Sequence, residues 1–229
     1  MEEGFPRLRC VGDTGILVEF GDRIDPAIHD RVLNLDRALG SNPFPGLVSL
    51  TPAYASVLVG IDPCITTPDA AIAFISKIGE SPATRSDPSR VVEIPVCYDP
   101  PYGPDLAHVA SVTGRSPHDV AAAHLSASYR VYMYGFAPGW AYLGGVPPEI
   151  QMPRRAAPVG GVLAGSVIIA GPQCIVTTIE MPTGWWTIGR SPAPIFRPLD
   201  PEPFLFRIGD RVRFVGISTE KLEAMAAHG

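Results

Sequence analysis

Apolar residues recur along this chain with two different periods, and the change between them marks the elements. "PRLRCVGDTGILVEFGD" reads as two short strands joined at Gly12-Asp13-Thr14-Gly15, a hairpin signal. In "DPAIHDRVLNLDRAL" the spacing becomes helical: Ile28, Val32, Leu35 and Leu39 share one face, Asp25 can cap the start and Pro26 suits the first turn. "LVSLTPAYASVLVGID" gives two more strands around Thr51-Pro52. "TTPDAAIAFISKIG" repeats the cap-then-proline start, with Ile72, Ile75 and Ile78 on one side. The order ββαββα predicts a small two-layer domain, with helices on one face of a mostly antiparallel sheet.

Residues 80–90, "ESPATRSDPSR", are polar, hold two prolines and lack periodicity, which predicts a linker. Domains are therefore expected over residues 1–85 and 90–229. The second opens with a strand, "VVEIPVCY", and two short helices, "GPDLAHVASVTG" and "SPHDVAAAHLSA". Ser116 and Asp119 have capping-box spacing, with Asp in place of the usual Glu, and Pro117 sits in the first turn. Strand-like runs follow: "YRVYMYGF", "GSVIIAG", "CIVTTI", "WWTIG", "FLFRIG" and "RVRFVGI", separated by turns rich in glycine and proline. That spacing predicts a barrel or a sandwich. "STEKLEAMAAHG" reads as a closing helix. The expected fold class is α+β.

Composition narrows the function classes. Hydrophobic residues make up 46% of the 229 positions and charged residues 18%, enough for a sizeable core. A net charge of −5 argues against a nucleic-acid partner. Cys10, Cys64, Cys97 and Cys174 form no CxxC pair and have no histidine at ligand spacing, so reduced thiols and no metal site are expected. "MEEGFPRLRC" does not read as a signal peptide, and "VLAGSVIIAG" is too short and glycine-rich to span a bilayer. A cytoplasmic protein without a membrane partner is expected. No GxxxxGK[ST] phosphate loop, GxSxG elbow or HExxH helix occurs.

The chemistry concentrates between residues 129 and 198. "YMYGFAPGWAYLGG", Tyr132 to Gly145, carries five aromatics and four glycines without a charge. Glycines let backbone approach a ligand closely, aromatics make flat apolar walls, and arginine offers a fixed fork of donors. Such a combination describes a small-molecule site. The alternation of Tyr132, Tyr134 and Phe136 equally suits a half-buried strand.

Four motifs in order resemble those of a family that takes in allophanate hydrolase subunit 1, KipI and the B-type subunit of 5-oxoprolinase. The family's G-F-x-P-G-F-x-Y-L is matched by Gly135-Phe136-Ala137-Pro138-Gly139-Trp140-Ala141-Tyr142-Leu143, with tryptophan at the second F. P-R-R is matched by Pro153-Arg154-Arg155, and A-G-S-V-x-I-A-G-x-Q by Ala164 to Gln173. G-G-W-x-x-I-G-R-T is matched by Thr183 to Ser191. The chain departs from the family pattern at Val159-Gly160, Leu163, Cys174 and Thr183.

The resemblance implies an N-terminal α+β domain followed by a cyclophilin-like β-barrel. It implies a subunit of an ATP-dependent 5-oxoprolinase-type amidohydrolase, which opens 5-oxo-L-proline to L-glutamate. A second carboxyltransferase-like subunit, of allophanate hydrolase subunit 2 type, and a LamB/YcsF-type subunit are the implied partners, and ATP the nucleotide used by the assembly. A KipI-like inhibitor of a histidine kinase and a urea carboxylase-related component are the alternatives.

The implied groove takes in Gly135, Phe136, Pro138, Gly139, Trp140, Tyr142, Arg154, Arg155, Gly165, Ser166, Gln173, Gly184, Trp185 and Arg190. His124 falls where the family carries a histidine and is the catalytic candidate, a structural role standing beside it. The three arginines suit a carboxylate or phosphate, or hold loops through backbone carbonyls. Gln173 suits a lactam edge or a loop anchor. Trp185 and Trp186 are expected on opposite faces of a strand. Gly139→Val is expected to leave the fold intact while abolishing complex formation or activity.

Overall fold

Asp25 and Ser116 begin their helices as the sequence predicts. The Asp25 carboxylate accepts from the backbone N–H groups of Ala27 at 2.8 Å and Ile28 at 3.2 Å, and these bonds hold its carboxyl below the usual range. Ser116 and Asp119 complete a reciprocal capping box, so aspartate serves in the glutamate position. The computed structural model describes residues 4–79 and 90–227, and the chain divides into two units, residues 1–88 and 89–229. The expected linker lies outside the described residues except for Arg90.

In the first unit, β1 (Arg7–Val11), β2 (Gly15–Glu19), β3 (Leu47–Pro52) and β4 (Ser56–Ile61) form an antiparallel sheet in the order β1-β2-β4-β3. Helices α1 (Pro26–Ser41) and α2 (Pro68–Gly79) supply its second layer. Ile28, Val32, Leu35 and Leu39 of α1 are buried with Ile16, Val18, Val57, Val59 and Ile75. The helical period thus places one apolar stripe on one sheet face.

The second unit contains β5 (Val91–Val96), α3 (Leu106–Thr113), α4 (Pro117–Ser126), β6 (Tyr129–Tyr134), β7 (Ala141–Gly144), β8 (Val159–Val162), β9 (Ser166–Ala170), β10 (Gln173–Val176), β11 (Met181–Thr183), β12 (Trp186–Arg190), β13 (Arg211–Gly216) and α5 (Thr219–Ala226). Seven strands follow one another as β12-β9-β10-β7-β6-β13-β5. Cys97, just past β5, exchanges backbone hydrogen bonds of 2.8 and 2.9 Å with Arg190 at the end of β12. That exchange brings the two outer strands together and nearly closes a barrel.

Closure explains one departure. "FLFRIG" forms no strand; Phe204 makes a single bridge to Phe196. Once β5 meets β12 there is no free edge for another strand, and Pro203 has no N–H to donate. Phe206 from this segment is instead buried in the barrel, and its carbonyl accepts from the Tyr134 hydroxyl at 2.6 Å.

Every residue of β9 is buried. Val167 and Ile169 face the barrel interior with Ile94, Tyr129, Leu143, Cys174, Ile188 and Phe214, beneath Val109 of α3 and Val120 of α4. Ile168 and Ala170 face outward into a second cluster. A strand apolar on both faces reads as a continuous run, which is how "SVIIA" appears in the sequence.

Candidate functional site

The outer cluster gathers the aromatic motif residues. Trp140, at the entry to β7, packs with Val162, Ile168, Ala170, Ile175 and Trp185, and Ala137, Tyr142 and Met181 edge the group. Tyr142 meets Trp185 edge-on at 6.3 Å between ring centroids, and Phe136 lies 5.1 Å from Trp140. Arg154 is exposed, with its guanidinium 5.6 Å from the centroid of Trp185. Among the described residues it has no carboxylate partner, so the cation is available to an anion at this aromatic wall.

The loop between β6 and β7 makes the rim. Phe136 is 70% exposed and adopts φ 68°, a left-handed conformation that costs a non-glycine residue strain. Gly135, Phe136, Ala137, Pro138 and Gly139 line an open cleft of about 360 Å³ with Tyr134 and Phe204. Gly135 N–H donates to the Trp140 carbonyl at 3.1 Å, and the Pro138 carbonyl accepts from the Thr178 hydroxyl at 2.9 Å. Gly139 has φ 72°, and a Cβ there would come within 2.7 Å of Cβ of Phe196. Gly139→Val therefore distorts this loop, contrary to the expectation of an undisturbed fold.

The two arginines of Pro153-Arg154-Arg155 part company. Arg155 forms an ion pair with Asp105 at the start of α3, and its guanidinium lies 3.9 Å from the centroid of Trp186. The second Asp105 oxygen accepts from the backbone N–H of Thr187 at 2.7 Å. Trp186 stacks on His108 at 4.6 Å and donates from Nε1 to the Pro153 carbonyl at 2.7 Å. Arg155 thus clamps α3 to β12, and the Gly184 carbonyl accepts from its backbone N–H at 2.8 Å. Trp185 and Trp186 do separate, one into the outer cluster and the other against α3.

Three further groove candidates lie at the other end of β9. Ser166 pairs with Arg190, whereas Ile169 pairs with Trp186. The intervening strand spans roughly 10 Å. Ser166 is buried, and its N–H donates to Thr177 Oγ1 at 2.9 Å. Gly165 adopts φ 83°, and a Cβ there would strike the Ser191 carbonyl. Arg190 contributes the backbone exchange that closes the barrel. Gln173 starts β10, half-buried, paired with Gly144 and Ala170.

His124 sits inside the barrel and is fully buried. Its Nδ1 is 2.6 Å from the Tyr98 hydroxyl and its Nε2 is 3.5 Å from Cys174 Sγ. Phe214 and Tyr129 pack against the ring at 4.5 and 5.1 Å. Burial drives its pKa down to about 3, so the ring is neutral, and burial pushes the Cys174 thiol up. His124 is therefore placed apart from the outer wall, with both ring nitrogens engaged.

Sequence reasoning missed Asp105, His108 and Met181. Asp105 stands directly before α3, a position that reads as a cap; its side chain makes no cap bond there and turns to Arg155 and β12 instead.

The carboxyltransferase domain family, subdomains C and D, matches residues 6–206. This chain belongs to that family. Among carboxyltransferase relatives, the B-type subunit of 5-oxoprolinase from Bacillus subtilis is 36% identical over 229 aligned positions, covering 95% of either chain. The solved structure of TTHA0988 superposes with a TM-score of 0.79 at 36% identity, covering 92% of this chain. The chain spans 40% of the length of TTHA0988. Kluyveromyces lactis urea carboxylase shares the fold at a TM-score of 0.76 and 20% identity, with 95% of this chain matched to 22% of that one. The two-layer unit and the nearly closed barrel are thus the carboxyltransferase-domain architecture. Among the described residues, no helix is long and apolar enough to cross a membrane, and no cluster of histidine, cysteine and carboxylate side chains is arranged to hold a metal.

Proposed function

We propose that this carboxyltransferase-family chain is a cytoplasmic subunit of an ATP-dependent 5-oxoprolinase-type amidohydrolase, acting with a second carboxyltransferase-like subunit and a LamB/YcsF-type subunit. The observation that carries the reading is the 36% identity, along 95% of both chains, to a protein named as the B-type subunit of 5-oxoprolinase. The outer wall supports it chemically. Tyr142, half-buried at the edge of the outer cluster, offers flat apolar surface to a small ring, and the exposed Arg154 offers a charge-assisted donor to a carboxylate. 5-Oxo-L-proline has both features. Likeness to urea carboxylase, at 20% identity, concerns the fold alone.

Arg154, Arg155 and Arg190 do not gather as a triphosphate cradle. Arg155 is neutralised by Asp105, and Arg190 lies at the far end of β9 from Arg154. Asp105 also puts a carboxylate, not a vacant N–H cradle, at the start of α3. ATP is accordingly assigned to the assembly and not to this subunit. The role left to this chain is to bind and orient the ring and to exclude water from it.

The test is ATP-dependent release of glutamate from 5-oxo-L-proline by the assembled subunits, by the assembly lacking this chain, and by the chain alone. Release only from the complete assembly is expected. No release from a complete assembly shown to form would overturn the reading.

A further inference from the structure

Trp140 is 3% exposed, and its Nε1–H has no hydrogen-bond partner among the described residues. Buried polar atoms are nearly always paired, so an orphaned donor calls for a reason. The Trp186 indole, by contrast, obeys the rule by donating to the Pro153 carbonyl.

What covers Trp140 is thin. Strands β8 and β11 pair only with one another, outside the barrel sheet. Val159, Gly160 and Gly161 of β8 are exposed, and a Cβ on either glycine would meet nothing within 4 Å. The ribbon reaches the outer cluster through Val162 and Met181. Gly161, at φ 71°, and Gly165, at φ 83°, give the backbone freedom beside it. Few apolar contacts and a glycine-rich backbone define a segment that opens locally at low cost.

We propose that the Trp140 indole N–H is a ligand-binding donor, in a pocket that opens when the β8–β11 ribbon lifts from the outer wall. The ligand is a small cyclic amide bearing a carboxylate: its carbonyl oxygen accepts from Trp140 Nε1, its ring lies along Trp185, and its carboxylate meets Arg154. An orphaned donor and a flat apolar wall in one cluster, with the Arg154 cation 5.6 Å from the Trp185 ring, select that combination. The choice of a lactam rests on the function proposed above.

The experiment follows the indole N–H resonances of the ¹⁵N-labelled full chain, with Trp140→Phe assigning the Trp140 signal and Trp186, held by Pro153, as the internal reference. Titration with 5-oxo-L-proline and with 2-pyrrolidinone should move the Trp140 signal downfield, and L-proline, which lacks the lactam carbonyl, should not. Arg154→Ala should weaken 5-oxo-L-proline about tenfold and leave 2-pyrrolidinone unchanged. A Trp140 signal unmoved by both lactams, at every concentration that leaves the Trp186 signal in place, would overturn the proposal. So would a signal that exchanges magnetisation with a long-lived bound water in the free chain. An active assembly with an unmoved Trp140 defeats this proposal and spares the proposed function. An inactive assembly whose Trp140 still answers to 2-pyrrolidinone does the reverse.

Discussion

Inside the barrel, Val167 and Ile169 of β9 meet Leu143, Cys174 and Tyr129 under two helices, α3 and α4. Outside it, Ile168 and Ala170 of the same strand meet Trp140 and Trp185 under a ribbon of two short strands. Both faces are buried and apolar, yet they differ in their polar groups. The interior matches His124 with Tyr98 and Cys174, whereas the exterior leaves Trp140 Nε1 unmatched. Burial alone therefore does not separate core from site along β9; between its two faces, the difference lies in whether these buried polar groups find partners.

The comparison breaks most readily through packing. Leu143→Ala on the inner face should cost about 2–5 kcal/mol in denaturant unfolding, because the surrounding strands cannot collapse onto the void. Met181→Ala, under the outer ribbon, should cost only about 1 kcal/mol. Equal losses would show the outer cluster to be as rigidly packed as the inner one.

Acid sharpens the contrast next. His124 ionises near its ordinary 6.5 when unfolded and at about 3 when folded. Between those values the unfolded chain binds the extra proton, so stability is full above the unfolded pKa and falls as the pH drops below it. The loss is about 2 kcal/mol by pH 5. Unfolding measured against pH should show this slope in the native chain, and His124→Asn should remove His124's share of it. An unchanged slope would mean that the ring is already charged, or reached by water, in the fold.

The two adjacent arginines give the smaller effects. Arg155→Ala should cost about 1–3 kcal/mol, since Asp105 loses its cation and Trp186 its cover. Arg154→Ala should change stability by no more than about 0.5 kcal/mol, as expected of an exposed side chain. Thermal unfolding of both variants checks the pair, and a reversed order would reassign the clamp.

These differences mark what the sequence made legible. Helix starts at Asp25 and Ser116 were readable because caps are local, and the apolar stripe of α1 because its period is local too. The strands of the barrel were largely readable as apolar runs, apart from β7, four residues that follow a glycine-rich loop, and "FLFRIG", where closure decided the outcome. Arg154 and Arg155 are neighbours of one chemical type, and distant partners, Trp185 against Asp105 and Trp186, set their separate roles. His124 sits in an alanine-rich helix that gave no sign of burial. Its surroundings come from Tyr98, Tyr129, Cys174 and Phe214, scattered along the chain. The aromatic stretch was ambiguous between wall and core because it is both: Trp140 is buried and Phe136, four residues earlier, is exposed.

The most direct test is kinetic. ATP-dependent glutamate release from 5-oxo-L-proline should be compared for assemblies carrying the native chain and Arg154→Ala. With the outer wall as the ligand-facing surface, kcat/KM should fall at least about tenfold while the unfolding temperature of the chain stays put. Unchanged kcat/KM in an assembly of native composition would contradict the account and move the site away from this wall.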